Sequence, residues 1–226
     1  MKKTIISILL LLGTFSIASA EVGVKIGLSG NLGVYEASGF ETEGTEKNIK
    51  KDDSEAVAGM GSIFVEKTLD FLPGPLSRLS IGFDHVPHSV KTPTESRSGT
   101  EEKRELGEAT VKYTNQASAT LSNINTFYVT ASLTDFLYVK AGMIEMDIKT
   151  TEELTTGSTY KDTSTDGYIL GLGVETTTDN GLFARFELNQ TELDGVKLQS
   201  ETNVDNSVTL DDVSGTSARI SIGKAF

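Results

Sequence analysis

From residue 22 onward the chain alternates apolar and polar residues with a period of two, and it holds no later apolar run of the roughly 20 residues that a membrane-crossing helix needs. Val22, Val24, Ile26 and Leu28 alternate with Gly23, Lys25, Gly27 and Ser29, and the same phase continues through Leu32 and Val34. Successive side chains of a strand point to opposite faces, so this pattern predicts a strand with one apolar and one polar face. It recurs at about 57–68, 79–86, 117–133, 136–148, 167–175, 182–189 and 216–226, which makes eight strands and no helix.

The links between these segments are alternately short and long. The short ones are 69–78 with Leu72-Pro73-Gly74-Pro75, Thr134-Asp135, and 176–181 ending in Asp179-Asn180-Gly181. Proline presets φ and glycine tolerates positive φ, so these are turns. The long links, about 39–56, 87–116, 149–166 and 190–215, carry 21 acidic and 11 basic residues. All four prolines fall in links, as an unbroken ladder requires. Strict alternation of link lengths predicts an antiparallel up-and-down meander with both termini on the short-turn side. Short turns on one side and long loops on the other are the asymmetry of a transmembrane barrel.

The first twenty residues read as an export signal. Lys2 and Lys3 precede an apolar run from Ile5 to Leu12 that continues through Phe15 and Ile17, and Ala18-Ser19-Ala20 is a small-residue cleavage site. Residues 1–20 are therefore expected to be removed, leaving one domain over 21–226. An exported chain with no cysteine has no disulfide framework, so its stability must come from a large fold. Loss of Lys2 and Lys3 leaves 18 basic against 32 acidic residues, a net charge of −14, which argues against nucleic-acid binding.

The two faces separate cleanly. One carries Val24, Ile26, Leu28, Ile81, Phe83, Phe127, Val129, Leu137, Val139, Leu170, Leu172, Phe186, Ile220 and Ile222, and suits lipid. The other carries Lys25, Glu66, Asp84, Lys140, Glu175, Arg185, Glu187 and Arg219, four basic and four acidic, among glycines such as Gly27, Gly82 and Gly173. Eight strands close a barrel whose interior is filled by side chains. Balanced charges among small residues suit a packed polar interior, because buried charges must pair. A soluble lipocalin-like barrel or sandwich would instead bury the apolar face. Phe71, Phe136 and Phe226 sit near the short-turn rim, where an aromatic girdle belongs.

With its Ala18-Ser19-Ala20 site, eight alternating segments and closing Ala218, Ile220, Ile222 and Phe226, the chain resembles the small outer-membrane β-barrel superfamily. That superfamily includes the transmembrane domain of OmpA, OmpX and the opacity-type surface proteins. The resemblance implies that Ile220, Ile222 and Phe226 are the signal read by the barrel-assembly machinery. Lys224 departs from it, where an apolar or aromatic residue is usual; a lysine at the rim can snorkel to water.

No catalytic, metal or cofactor site is expected. The two histidines lie in Asp84-His85-Val86-Pro87-His88-Ser89, a generic spacing at a strand end. A nucleophile needs an oriented base, and a zinc site needs preorganised ligands; neither is written there. The acidic long links read as a solvated surface, with divalent-cation bridging to anionic lipids as the sharper alternative. The expectation is a monomeric, non-enzymatic outer-membrane barrel with a structural or surface-interaction role, whose partners are outer-membrane lipids and, during biogenesis, the assembly machinery. Its rivals are a narrow pore or an OmpW-like hydrophobic-ligand conduit, and then a lipid A-modifying enzyme. Added hairpins at 108–116 or 196–204 would raise the strand count to ten.

Overall fold

A computed structural model describes residues 23–42, 52–101, 111–154 and 157–226. The signal segment 1–20 lies outside them, as does Val22. The strands are β1 (Val24–Thr42), β2 (Asp52–Thr68), β3 (Leu79–His85), β4 (Val90–Lys91), β5 (Glu95–Glu101), β6 (Val111–Ser132), β7 (Leu137–Glu153), β8 (Thr163–Thr177), β9 (Leu182–Leu193), β10 (Val196–Gln199), β11 (Ser207–Leu210) and β12 (Val213–Ala225). One short 3-10 turn, Gly74–Arg78, follows the proline-rich link.

Eight antiparallel strands form the wall, in the order β1-β2-β3-β6-β7-β8-β9-β12, and β12 pairs back onto β1 to close it. Following paired residues once around gives Lys25, Glu66, Gly82, Tyr128, Gly142, Ile169, Thr191, Gly215 and then Tyr35, so the stagger is 35 − 25 = 10 residues. Ten residues of about 3.3 Å against eight strand spacings of about 4.8 Å give a tilt of about 40° and a backbone radius of about 8 Å. Side chains pointing inward from such a wall meet across the lumen. The ends are tied together: Phe226 donates its N–H to the Val24 carbonyl at 2.8 Å.

The outer surface has a sharply bounded apolar belt. Above the rim lysines Lys67 and Lys224, outward positions are Gly, Ala or large apolar residues, with Tyr168 near the top. Leu28, Leu172, Ile220 and Ile222 are each at least half exposed. The outward phase then turns polar on every wall strand, at Glu36, Glu55, His85, Asn125, Glu145, Asp166, Gln190 and Thr216. Apolar outside, charged inside and closed on itself, the chain has the fold of a small outer-membrane β-barrel. Among the described residues no helix is long and apolar enough to cross a membrane.

The strands run on past the belt. β6 has 22 residues and β1 has 19, against about 9–11 needed to span the hydrocarbon. Parts of the expected long links are therefore strand: 111–116 is the outer end of β6, and β10–β11 is a hairpin on the outer end of β1. Neither adds a wall strand, so the count stays at eight. The sequence signal fades there because both faces lie outside lipid and the outward side no longer needs to be apolar, although the backbone ladder continues.

The belt gives a direct test. Leu172→Arg, on the lipid face, is expected to destabilise the inserted barrel by about 2–4 kcal/mol, whereas Thr216→Arg at the belt's upper edge should cost about 0–1 kcal/mol. Reversible urea unfolding from lipid vesicles measures both; equal small effects would place no hydrocarbon against Leu172.

Candidate functional site

The inward phase builds the site. On β9, Phe183, Arg185, Glu187, Asn189 and Thr191 are buried while Leu182, Ala184, Phe186 and Leu188 face out. The same alternation on six other wall strands, β1, β2, β3, β7, β8 and β12, aims charged groups into one narrow lumen. All eight sequence-derived charges, Lys25, Glu66, Asp84, Lys140, Glu175, Arg185, Glu187 and Arg219, are in ion pairs with one another.

They fall into two neutral sets. In the first, nearer the short turns, the Arg185 guanidinium donates two parallel bonds to Glu66, Nη1 to Oε2 at 2.8 Å and Nη2 to Oε1 at 2.7 Å. Its Nε donates to Glu175, which also accepts from Lys25 Nζ at 2.6 Å. In the second set Arg219 donates to Asp84 and lies 3.2 Å from Glu187, which accepts from Lys140 Nζ at 3.1 Å. Forked guanidinium–carboxylate contacts of this kind are strong and fix direction. Glu66 is 1% exposed and Arg185 6%, so neither can be hydrated from bulk water.

Neutral groups finish the packing. Tyr128 donates its hydroxyl to Glu66 Oε2 at 3.3 Å, and Ser62 donates to Asp84 Oδ2 at 2.9 Å. The Arg185 guanidinium stacks 5.1–5.4 Å from the Phe64, Tyr138 and Phe183 rings, and Arg219 sits 5.5 Å from Phe64. Glycine makes room for these rings: a Cβ on Gly82 would lie 2.2 Å from Tyr128, and one on Gly173 2.4 Å from Tyr138. The inward aromatics escaped the sequence reading, although Phe64, Tyr138 and Phe183 stand two residues from Glu66, Lys140 and Arg185 in the same phase.

A second inward layer was also missed. Val86, Ile124, Met146 and Leu193 form a buried apolar cluster, with Met60, Val90, Leu121, Ile144 and Val213 packed against it, on the long-loop side of the charges. On β7 the apolar positions change face, from Val139, Ala141 and Met143 outside to Ile144, Met146 and Ile148 inside. The switch falls where Glu145 ends the lipid belt. Above that level the barrel is built like a water-soluble one.

The remaining candidates separate. Asp84 points into the lumen, while His85 on the opposite face of the wall contacts Asn125 Oδ1 at 2.9 Å through Nδ1. His88 accepts from the Gly61 N–H, so Asp84, His85 and Ser89 do not form a triad. Among the described residues no group of three His, Cys, Asp or Glu is arranged to hold a metal. Ile220 and Ile222 face outward, Phe226 is half exposed at the rim, and Lys224 donates to the Asn180 carbonyl there.

No family model and no curated protein matches this chain. Solved structures do. The outer membrane protein OprG of Pseudomonas aeruginosa is 10% identical, with a TM-score of 0.48 over 91% of this chain and 97% of that one. The outer membrane protease OmpT of Escherichia coli is 9% identical, with a TM-score of 0.43 over 95% and 99%. The outer membrane protein AlkL is 13% identical, with a TM-score of 0.40 over 95% of each.

Removing one partner of a buried pair strands the other charge. Arg185→Ala or Glu187→Ala should each cost about 3–5 kcal/mol, whereas the exposed Glu36→Ala should stay within about 0.5 kcal/mol. Heat- and urea-induced loss of the compact band on unboiled detergent gels measures the difference; three equal small effects would show that these charges are hydrated.

Proposed function

We propose that this is a non-enzymatic outer-membrane barrel whose wall and ion-paired interior are structural and whose protruding outer half makes surface interactions. The observation that carries the reading is the network itself. Eight charges satisfy one another across a lumen about 8 Å in backbone radius, at two successive levels, with an apolar cluster above. A route for solute along the axis would have to break these pairs. Loops and strand ends carried beyond the membrane on a rigid wall are where binding is generally placed.

In the same reading residues 1–20 are cleaved on export, Ile220, Ile222 and Phe226 are the signal for the barrel-assembly machinery, and the folded product is a monomer in contact with outer-membrane lipids. The lipid A-modifying alternative has no support from Asp84 and His85, which face opposite sides of the wall.

Planar-bilayer recording of the purified protein tests the closed lumen: no steady single-channel steps are expected, and large steady steps would establish a pore. The same protein, recovered from outer-membrane fractions, should begin at Glu21 by mass. Recovery as a soluble periplasmic monomer would refute the membrane placement.

A further inference from the structure

The outer face of the wall differs from one side of the barrel to the other. Across β3, β6, β7 and β8 the register lines up Phe83, Phe127, Met143 and Tyr168 in one outward row. The two phenylalanine rings lie 4.8 Å apart, and Met143 and Tyr168 are more than half exposed. The next outward row on the same strands is His85, Asn125, Glu145 and Asp166. At the belt's upper edge the other four wall strands carry Leu188 and Gln190, Ala218 and Thr216, Val34 and Glu36, and Val57 and Glu55, with no ring among them. Above the polar row stands a basic one. Lys91 and Lys149 flank Thr120 in register, two outward steps past Glu145, or about 10 Å higher on strands tilted by about 40°. Both lysines are exposed.

A β-bulge shapes the polar level. The β6–β7 register shifts between Ser122 and Asn125, and Asn123 has a φ of 52°, a left-handed conformation that asparagine tolerates. The bulge brings Asn123 and Asn125 out side by side. Asn123 Nδ2 donates to Asp147 Oδ2 at 2.6 Å, and Asn125 Nδ2 donates to the Asn123 carbonyl at 2.7 Å. The second bond fixes which end of the Asn125 amide is nitrogen. Its Oδ1, 2.9 Å from His85 Nδ1, therefore accepts, and the histidine proton sits on Nδ1. His85 Nε2 is left as an acceptor. Each amide nitrogen keeps a second N–H and each carboxylate a second oxygen. Donors and acceptors thus stand together at headgroup height. Sugar hydroxyls, which both donate and accept, match them better than an ammonium group, which only donates.

We propose that this sector holds an outer-leaflet lipid whose headgroup is a phosphorylated sugar. The proposal deepens the reading that the barrel contacts outer-membrane lipids, and rests on it. Acyl chains lie along Met143 and the neighbouring rings, hydroxyls meet Asn123, Asn125 and Asp147, and the phosphate meets Lys91 and Lys149. The wall dictates that vertical order. The carboxylates of Glu145, Asp147 and Asp166 repel a phosphate at their own level, and the lysines attract it further out. Lys91 and Lys149 stand two strand spacings apart, about 10 Å, so their long side chains can converge on one phosphate. A glycerophospholipid carries its phosphate next to the glycerol, at the height of the carboxylates, and fits this order badly. The lipid belt already reaches Phe127 and Met143, so the acyl part of such a ligand continues an existing contact.

The probes are three dodecyl surfactants: the glucoside 6-phosphate, the glucoside and the phosphate. Each is titrated into the full chain held in amine-oxide micelles and followed by the side-chain amide NMR signals of Asn123 and Asn125. The glucoside phosphate should saturate these signals at the lowest mole fraction and leave Gln190, at the same height on β9, unmoved. Lys149→Ala should raise that mole fraction about fivefold and leave the response to the glucoside as it was. Asn125→Ala, read at Asn123, should weaken both sugar probes by about as much. Equal shifts at Gln190, a glucoside phosphate that binds no better than dodecyl phosphate, or unchanged affinity in Lys149→Ala would overturn the proposal. If Asn125→Ala loses the mobility shift of a closed barrel, Lys149→Ala, exposed above the belt, decides. Nuclear Overhauser contacts from dodecyl chains to Met143 are read in the same samples. Present without a response to sugar, they leave lipid contact standing and remove the headgroup site; their absence would remove the lipid belt itself.

Discussion

The pairing of β12 with β1 is the contact on which the rest of the structure depends. Hydrocarbon offers no partner to a backbone N–H or C=O, so a sheet that enters it must have no free edge. Closing eight strands with a stagger of ten residues sets the tilt and the radius together. At about 8 Å the lumen holds side chains in contact and little else. Charges that point into it lose bulk water, and the large cost of that loss is offset only by close, well-directed pairing. The forked Arg185–Glu66 contact and its neighbours are the consequence of that narrowness. Residues 119 positions apart in the chain meet because the wall brings every inward position to the same axis.

Membrane contact also explains why one chain uses two opposite rules. Within the belt the apolar face is outside and the charged face inside. Above Glu145 and its counterparts on the other strands, water takes the place of lipid, and the apolar residues move to the interior as Ile124, Met146 and Leu193. The strand does not stop at the change; only the solvent on its outer side differs. The lower half is thereby held by ion pairs and the upper half by ordinary apolar packing.

Much of this was legible in the alternation of residues. Val24, Ile26 and Leu28 against Lys25 and Gly27 give both the strand and its two faces, and the short Thr134-Asp135 and Asp179-Asn180-Gly181 links give the meander. The phase also puts Arg185 and Glu187 on one face, and the structure has each in contact with charges from other strands. Three things were not legible. The upper strand ends, such as 111–116 of β6, lack an apolar outward face because lipid is absent there. The inward apolar cluster reads as a phase error in β7 unless the belt's upper limit is known. Phe64 and Tyr138 share the phase of Glu66 and Lys140, but nothing in the alternation says that an inward ring will stack on Arg185, a residue far away in the chain. In the first two cases the missing information is what the outer side touches, a property of the surroundings and not of the residues.

The central claim is that the wall reverses polarity at a defined height, and β7 reports it residue by residue. The chain has no cysteine, so single cysteines placed along 139–149 can each carry a spin label. Collision with oxygen, which concentrates in lipid, is expected to be high at Val139, Ala141 and Met143. Collision with a water-soluble nickel complex should be high at Glu145, Asp147 and Lys149, and both should be low at Ile144, Met146 and Ile148. A lipid signal that continues through 147 and 149, or water contact at 146 and 148, would contradict the reversal.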